Sequence, residues 1–136
     1  MPLVAHNALP TFDRLRRDGI TVLSTERAAH QEIRELHVGL LNMMPDAALE
    51  ATERQFYRLV GESNPIAQFY MHPFTLPTLP RGDKARAHIA QFYEPFDAIR
   101  EKGLDALIIT GANVSHPSLA AEPFWEPLIE VIDWAW

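Results

Sequence analysis

Three short runs of apolar residues along the chain alternate with longer stretches in which apolar positions recur every three or four residues. Short apolar runs are typical of buried strands, and a recurrence near 3.6 residues is typical of amphipathic helices. The runs predict strands over residues 36–42, 66–72 and 104–110. The patterns between and after them predict helices over residues 45–60, 84–93 and 123–136, with another helical turn or two over residues 94–102.

The first predicted strand and the helix after it form the clearest unit. The strand carries little polar surface on either face, which predicts burial on both sides of a sheet. Pro45 suits the first turn of a helix, where its missing N–H costs nothing. Gly61 is predicted to stop that helix. The positions predicted to form its buried face are Leu49, Thr52, Phe56, Leu59 and Val60.

The order of these elements, β-α-β-α-β-α, predicts an α/β fold with a parallel sheet and right-handed crossovers. The expected fold is a partial doubly wound sheet of the flavodoxin-like type. Three strands are few for such a sheet, where about five is usual. The last helical pattern also runs to Trp136 without a Gly or Asn stop. We therefore expect residues 36–136 to be the N-terminal half of a larger α/β domain.

Two proline-containing segments are predicted to be irregular. Residues 1–35 are expected to form an N-terminal arm, with a short helix at 11–17 and a short edge strand at 20–23. Two interpretations of the arm stay open, a segment that wraps a partner subunit and a mobile terminus. After the second strand, Pro73, Pro77 and Pro80 are expected to block regular structure.

Composition narrows the class of protein. The 136 residues predict one domain, and a hydrophobic fraction of 47% fits a globular chain. The formal net charge of −6, from 12 basic and 18 acidic residues, argues against nucleic acid as a partner. No apolar run reaches bilayer length and no signal-peptide pattern opens the chain, so we expect no membrane contact and a cytoplasmic location.

Several kinds of site are set aside on residue type and spacing. The chain has no cysteine, which excludes disulfides, thiolate metal ligands and a cysteine nucleophile within it. Its six histidines include no pair at the close helical spacing of a zinc site, so no metal site is expected. There is no glycine-rich phosphate loop. A triad of Ser115, His116 and Asp105 is given little weight, because adjacent loop residues rarely converge in that way.

Three segments of the chain carry a family resemblance. HVGLLNMMPDAALEATERQF, FYEPFDAIREKGLDALIITGANV and PFWEPLIEVIDWAW together resemble the homoserine O-acyltransferase family, in its homoserine O-succinyltransferase branch. This branch has the fold of class I glutamine amidotransferases. The Asn-x-Met-Pro turn, the Thr-Glu-x-Gln helix start and the Leu-Ile-x-Thr-Gly-Ala strand end are specific in combination.

The resemblance implies acyl transfer by double displacement. A cysteine takes the acyl group from a coenzyme A thioester, and a histidine oriented by a glutamate activates first the thiol and then the hydroxyl of L-homoserine. These three residues are expected beyond residue 136, so the chain by itself is expected to be inactive. Acyl-CoA is the implied co-substrate, with no bound cofactor, and the complete protein is expected to be a homodimer.

The same resemblance implies roles for residues of this chain. Gly111 and Ala112 match a turn whose backbone N–H groups face the nucleophile, which makes them candidates for an oxyanion hole. The alternative is that Gly111 only permits a tight turn. The segment Asn42, Met43, Met44 and Pro45 matches a substrate loop, although Asp46 and Ala47 stand where many relatives have lysines. Arg54 and Arg58 are better explained as a solvated helix face.

Ser115 lies at the position where the family sets its acyl donor. Members with glycine there tend to use succinyl-CoA and members with glutamate tend to use acetyl-CoA, since a glutamate repels the free carboxylate of a succinyl group. Serine matches neither pattern, but it is small and neutral, which favours succinyl-CoA. The alternative is an ordinary loop residue in a turn that Ser115, His116 and Pro117 begin.

Hypotheses of different classes remain open at this point. In the first, the chain is half of an acyltransferase; in the second, it is a non-catalytic binding or assembly module that uses the same half-fold. Light scattering or sedimentation separates these two: a well-behaved oligomer that unfolds cooperatively favours the module, and an aggregating or partly folded chain favours the truncated enzyme. A third possibility is another enzyme of the same architecture, such as an amidotransferase, which the fold alone does not exclude.

Overall fold

A computed structural model describes residues 3–29 and 34–136, which form a five-stranded parallel sheet with helices on both faces. The strand order is β2-β1-β4-β3-β5. The strands are β1 (Leu3–Ala5), β2 (Val22–Ser24), β3 (Glu35–Leu41), β4 (Gln68–Phe74) and β5 (Ala106–Ile109). The helices are α1 (Pro10–Arg17), α2 (Thr25–Ala29), α3 (Asp46–Ser63), α4 (Asp83–Phe92), α5 (Phe96–Lys102) and α6 (Trp125–Ala135), with a 3-10 turn at Leu119–Ala121.

The predicted fold class is confirmed, since all four strand pairings are parallel. The expected number of strands is wrong. The sheet has five strands because residues 3–29, interpreted from the sequence as an irregular arm, supply β1 and β2. Strand β1 lies between β2 and β4, and its Leu3 and Val4 are fully buried. The helix predicted at 11–17 and the edge strand predicted at 20–23 correspond to α1 and β2. Residues 1–2 and 30–33 of the predicted arm lie outside the described residues.

Strand β1 also explains why Gly61 does not end α3. The helix continues through Gly61 to Ser63. A Cβ added at Gly61 would lie 2.9 Å from the Leu3 Cγ, so the glycine lets the helix pack closely on β1. The predicted buried face of α3 is confirmed except at Leu59. Leu49 and Thr52 are buried, and Phe56 and Val60 are half-buried against the core on this side of the sheet. Leu59 is 58% exposed, and the buried positions also include Glu53, Tyr57 and Gly61.

Pro73 lies inside β4, although prolines were expected to block regular structure there. The strand tolerates it because the Pro73 backbone faces away from β3. Its carbonyl accepts a hydrogen bond from the Glu94 N–H at 2.9 Å, whereas the carbonyl of the next residue, Phe74, bonds to Asn42 beyond the end of β3. On the far side, the pairing of β1 with β4 within the described residues is limited to Leu3 and Phe69, so there the missing proline N–H breaks no ladder bond.

The side chains of β3 and β4 alternate between two cores. On one face, Leu40 and Met71 pack with Phe12 of α1 and Tyr57 of α3. On the other face, Leu41 and Phe74 pack with α5 and α6. At the end of the chain, Phe124, Leu128 and Val131 pack on this second core. Ile132 and Trp136 remain exposed.

No helix in the described ranges combines the length and the apolar character that crossing a bilayer requires.

The Tyr57 hydroxyl gives a direct test of the first core. Tyr57 is fully buried, stacks obliquely on Phe12 with ring centroids 5.7 Å apart, and its hydroxyl has no hydrogen-bond partner within the described residues. Burial therefore raises the pKa of Tyr57 well above its ordinary value. Because a desolvated, unpaired hydroxyl is unfavourable, we expect Tyr57→Phe to raise the free energy of unfolding by about 1 kcal/mol in urea denaturation. A loss of stability would mean that the hydroxyl has a partner outside the described residues.

Candidate functional site

The carboxyl ends of β3, β4 and β5 lie side by side, and hydrogen bonds join the loops that follow them. The Met43 N–H donates to Thr110 Oγ1 at 2.8 Å, and the Thr75 hydroxyl donates to the Asn42 carbonyl at 2.8 Å. Open α/β sheets bind ligands at this edge. We call the region the strand-end site; its members are Asn42, Met43, Met44, Pro45, Thr75, Arg81, Thr110, Gly111, Ala112 and Ser115.

The predicted substrate loop divides into a buried and an accessible half. Asn42 is fully buried, and its side-chain amide donates to the Leu49 carbonyl at 3.0 Å and to the Tyr93 hydroxyl at 3.1 Å. Met43 is also buried and packs in the second core. Met44 and Pro45 are half-buried. Asn42 and Met43 therefore hold the loop in place, and only Met44 and Pro45 are accessible to a ligand.

Arg81 lies in the loop after β4 and fixes the substrate loop through hydrogen bonds, a role that its sequence context did not predict. Its side chain is only 6% exposed. The guanidinium donates to the carbonyls of Met44 at 2.5 Å and Asn42 at 3.2 Å and to Thr75 Oγ1 at 3.1 Å. A single side chain thus joins the loops after β3 and β4. In the sequence, Arg81 is recognisable only as an arginine within a proline-rich loop. That context does not distinguish a buried arginine that clamps two loops together from a solvated one.

Asp46 completes the same clamp. Its carboxylate accepts the Gly82 N–H at 2.7 Å and lies 3.3 Å from Arg81. The Gly82 N–H, and after it the Arg81 guanidinium, lower the pKa of the Asp46 carboxyl. Asp46 therefore pairs within the chain, and it does not supply positive charge for a ligand.

Gly111 and Ala112 lie directly after β5, where the structure leaves their backbone open. Within the described residues, neither N–H has a hydrogen-bond partner. Gly111 has no positive φ, and a Cβ added to it would meet no atom within 4 Å. The turn therefore does not require glycine for its own geometry. This weakens the alternative that Gly111 only permits a tight turn.

The backbone at Ser115 is fixed by the buried carboxylate of Glu122, a second residue whose role the sequence did not predict. The Glu122 side chain is only 3% exposed. Its carboxylate accepts the N–H groups of Ser115 at 2.6 Å and His116 at 2.8 Å. Burial alone would raise the pKa of Glu122, but these two N–H groups and the His116 ring together lower it. The Ser115 side chain stays on the exposed surface of the loop.

The triad that was given little weight does not form. Ser115 Oγ lies 3.2 Å from His116 Nδ1, but the Asp105 carboxylate accepts the His37 N–H at 2.7 Å near the opposite end of the sheet. Arg58 pairs with Glu62 at 3.8 Å on an exposed face of α3, as a solvated helix face predicts.

A separate cluster of His6, His72 and Glu94 lies where the C-terminal halves of β1 and β4 are adjacent. One ligand atom from each of these residues lies within 4.8 Å of the others. The expectation of no metal site rested on helical spacing, which does not detect side chains that neighbouring strands bring together.

The parallel sheet with helices on both faces places the chain among the doubly wound α/β proteins. Comparison with known proteins is more specific. The family model for homoserine O-succinyltransferase matches residues 2–136. Curated relatives named homoserine O-succinyltransferase are 88% identical in Thiobacillus denitrificans and 72% identical in Thioalkalivibrio nitratireducens, each over the whole chain. The chain belongs to the homoserine O-succinyltransferase family, which confirms the resemblance. It spans 38% to 39% of the length of these relatives.

Proposed function

We propose that this chain forms the N-terminal part of a homoserine O-succinyltransferase, which moves an acyl group from succinyl-CoA to L-homoserine in methionine biosynthesis. The support is the family match along residues 2–136, together with relatives that are more than twice as long. The chain contains no cysteine. In this proposal the cysteine nucleophile, its histidine base and the orienting glutamate come from the remainder of the longer protein. The complete enzyme is proposed to be a cytoplasmic homodimer without a bound cofactor.

The open N–H groups of Gly111 and Ala112 are the observation that best connects this structure with that chemistry. When a thiolate attacks the thioester carbonyl, the carbonyl oxygen becomes an oxyanion, which fixed N–H donors stabilise. Collapse of this intermediate expels the coenzyme A thiolate and leaves an acyl-enzyme. The homoserine hydroxyl then repeats the attack and releases the cysteine. These two N–H groups at the carboxyl edge of the sheet have no partner within residues 3–29 and 34–136, and they are suited to serve both steps.

The other members of the strand-end site are proposed to shape the substrate pocket. Met44 and Pro45 would contact a substrate directly, whereas Asn42, Met43 and Arg81 fix the loop that presents them. Ser115 would face the far end of the acyl group. The predicted division at residue 35, between an N-terminal arm and the α/β domain, stays a prediction.

The proposal is tested by measuring release of the coenzyme A thiol with a colorimetric thiol reagent. The complete protein is expected to release the thiol from succinyl-CoA only in the presence of L-homoserine, and the 136-residue chain alone is expected to release none. Mass spectrometry of the product identifies O-succinylhomoserine. Turnover by the chain alone, or failure of the complete protein with both succinyl-CoA and acetyl-CoA, would contradict the proposal.

Substitution of Ser115 tests its proposed role in the choice of donor. Ser115→Glu in the complete protein is expected to lower kcat/KM for succinyl-CoA at least about tenfold relative to acetyl-CoA, because two carboxylates then approach one another. Ser115→Gln is the matched control, with nearly the same size and no charge, and should change the ratio much less. Equal ratios for the two variants would show that charge at residue 115 does not select the donor.

A further inference from the structure

We propose that His6, His72 and Glu94 form a binding site for a divalent cation of the zinc type. The site lies outside the strand-end site and does not depend on the proposed function. It would join three segments that are distant in sequence: the residue after β1, the C-terminal half of β4 and the connection between α4 and α5.

The backbone already brings these three side chains together. The rings of His6 and His72 lie 5.3 Å apart, and His72 Nδ1 lies 2.6 Å from Glu94 Oε2. Glu94 is held beside β4 because its N–H donates to the Pro73 carbonyl at 2.9 Å. Zinc with ligands at about 2.1 Å in a tetrahedron needs ligand atoms about 3.4 Å apart. The observed separations, within 4.8 Å, require movements of about 1 Å.

Neighbouring groups orient both rings for this role. His6 Nδ1 lies 3.2 Å from the Val4 carbonyl, which only accepts hydrogen bonds, so the proton belongs on Nδ1 and the lone pair of Nε2 is left for a metal. His72 presents Nδ1 toward Glu94, while its Nε2 lies 2.8 Å from His37 Nδ1. A metal on His72 Nδ1 leaves the Nε2–H to donate to His37. Metal-bound histidines characteristically donate their second N–H in this way.

The donor set indicates the class of metal. Two imidazoles and one carboxylate suit zinc and the neighbouring late transition metals, whereas magnesium and calcium prefer oxygen ligands. Three protein ligands also leave a fourth position open. A cavity lined by His37, His72, Glu94 and Lys102 adjoins two of the three proposed ligands. In the absence of metal, two of the proposed ligands, Glu94 and His72, form a hydrogen-bonded chain that continues from His72 to His37.

The test is calorimetric titration of the complete, metal-free protein with Zn²⁺, and with Co²⁺ as a spectroscopic probe. We expect one equivalent to bind and Co²⁺ to show the visible absorption of a four- or five-coordinate site. His6→Gln should weaken binding more than about 100-fold, and His37→Gln should weaken it by about 10- to 100-fold, as is usual for a residue that supports a ligand. His116→Gln, which removes a histidine from an exposed loop elsewhere, is the matched control.

Absence of a bound equivalent, or equal affinity of the unchanged protein and His6→Gln, would overturn the proposal and leave a hydrogen-bonded chain only. Circular dichroism checks that each variant is folded. Should His6→Gln fail to fold, anomalous scattering at the zinc edge from crystals of the unchanged protein decides the question. A peak between His6, His72 and Glu94 supports the site, and a peak elsewhere or none rejects it.

Discussion

Gly111→Ala is expected to lower the kcat of the complete protein by about 100-fold, comparable to the loss of one oxyanion-hole donor. Within the described residues the fold tolerates the substitution, because Gly111 has no positive φ and a Cβ there meets no atom within 4 Å. In the proposed enzyme, the methyl group would enter the open space beside Gly111, which a developing oxyanion would need in order to approach the N–H groups of Gly111 and Ala112. A methyl group at this point would hold the oxyanion away from its donors.

Gly103→Ala provides the opposite control. Gly103 ends α5 with a φ of 80°, a conformation that alanine rarely adopts, and it lies near the other end of the sheet. That variant should lose stability and keep its kcat in the fraction that folds. Melting curves and steady-state kinetics on both variants separate the two effects. Full activity of Gly111→Ala would contradict the oxyanion assignment and restore the interpretation of an ordinary turn.

The elements with the clearest apolar runs were predictable from the sequence. Strands β3 and β5 and the start of α3 appear close to their expected positions, because buried runs of this kind have few alternative structures. Strand β1 was missed because three residues carry no periodicity, and its place in the sheet depends on contacts with β2 and β4. Gly61 was wrongly predicted to end α3 because β1 was not predicted. The glycine is needed where the helix packs closely on Leu3 of β1.

In the candidate site, too, some residues could be predicted from local sequence and others depend on tertiary contacts. The Asn-Met-Met-Pro and Thr-Gly-Ala segments became candidates because they match motifs of the family that the chain resembles, and both follow strands. Arg81 and Glu122 were not found, because a charged residue in a loop is usually solvated and only tertiary structure shows that these two are buried. The cluster of His6, His72 and Glu94 was missed for a related reason. Its members come from separate elements, and sequence spacing does not detect that arrangement.

Glu53→Ala is expected to lower the free energy of unfolding by about 3–5 kcal/mol, the usual result of removing one partner from a buried charged network. The Glu53 side chain is 1% exposed. It accepts hydrogen bonds from the hydroxyls of Thr11 and Tyr93, the latter at 2.8 Å, and lies 3.1 Å from His88 Nε2. Burial and the neighbouring Glu53 carboxylate raise the pKa of Tyr93, so its hydroxyl remains a donor. Alanine would leave these polar groups without their shared acceptor.

Glu53→Gln and Glu62→Ala are the matched controls. Glutamine keeps an acceptor oxygen and should cost clearly less than alanine. Glu62 is an exposed partner of Arg58 on the same helix, so its loss should cost less than about 1 kcal/mol. Urea denaturation of the three variants measures the differences. A cost for Glu53→Ala as small as that for Glu62→Ala would show that the buried carboxylate does not stabilise the fold.

The same network reaches the strand-end site through one further hydrogen bond. The Tyr93 hydroxyl that donates to Glu53 also accepts from the Asn42 side chain at 3.1 Å, and Asn42 anchors the loop that presents Met44 and Pro45. Glu53→Ala should therefore raise KM in the complete enzyme under conditions in which the variant is still fully folded. Tyr93→Phe, which interrupts the connection at its middle, should raise KM in the same direction. An unchanged KM in both variants would show that the loop holds its position without the buried network.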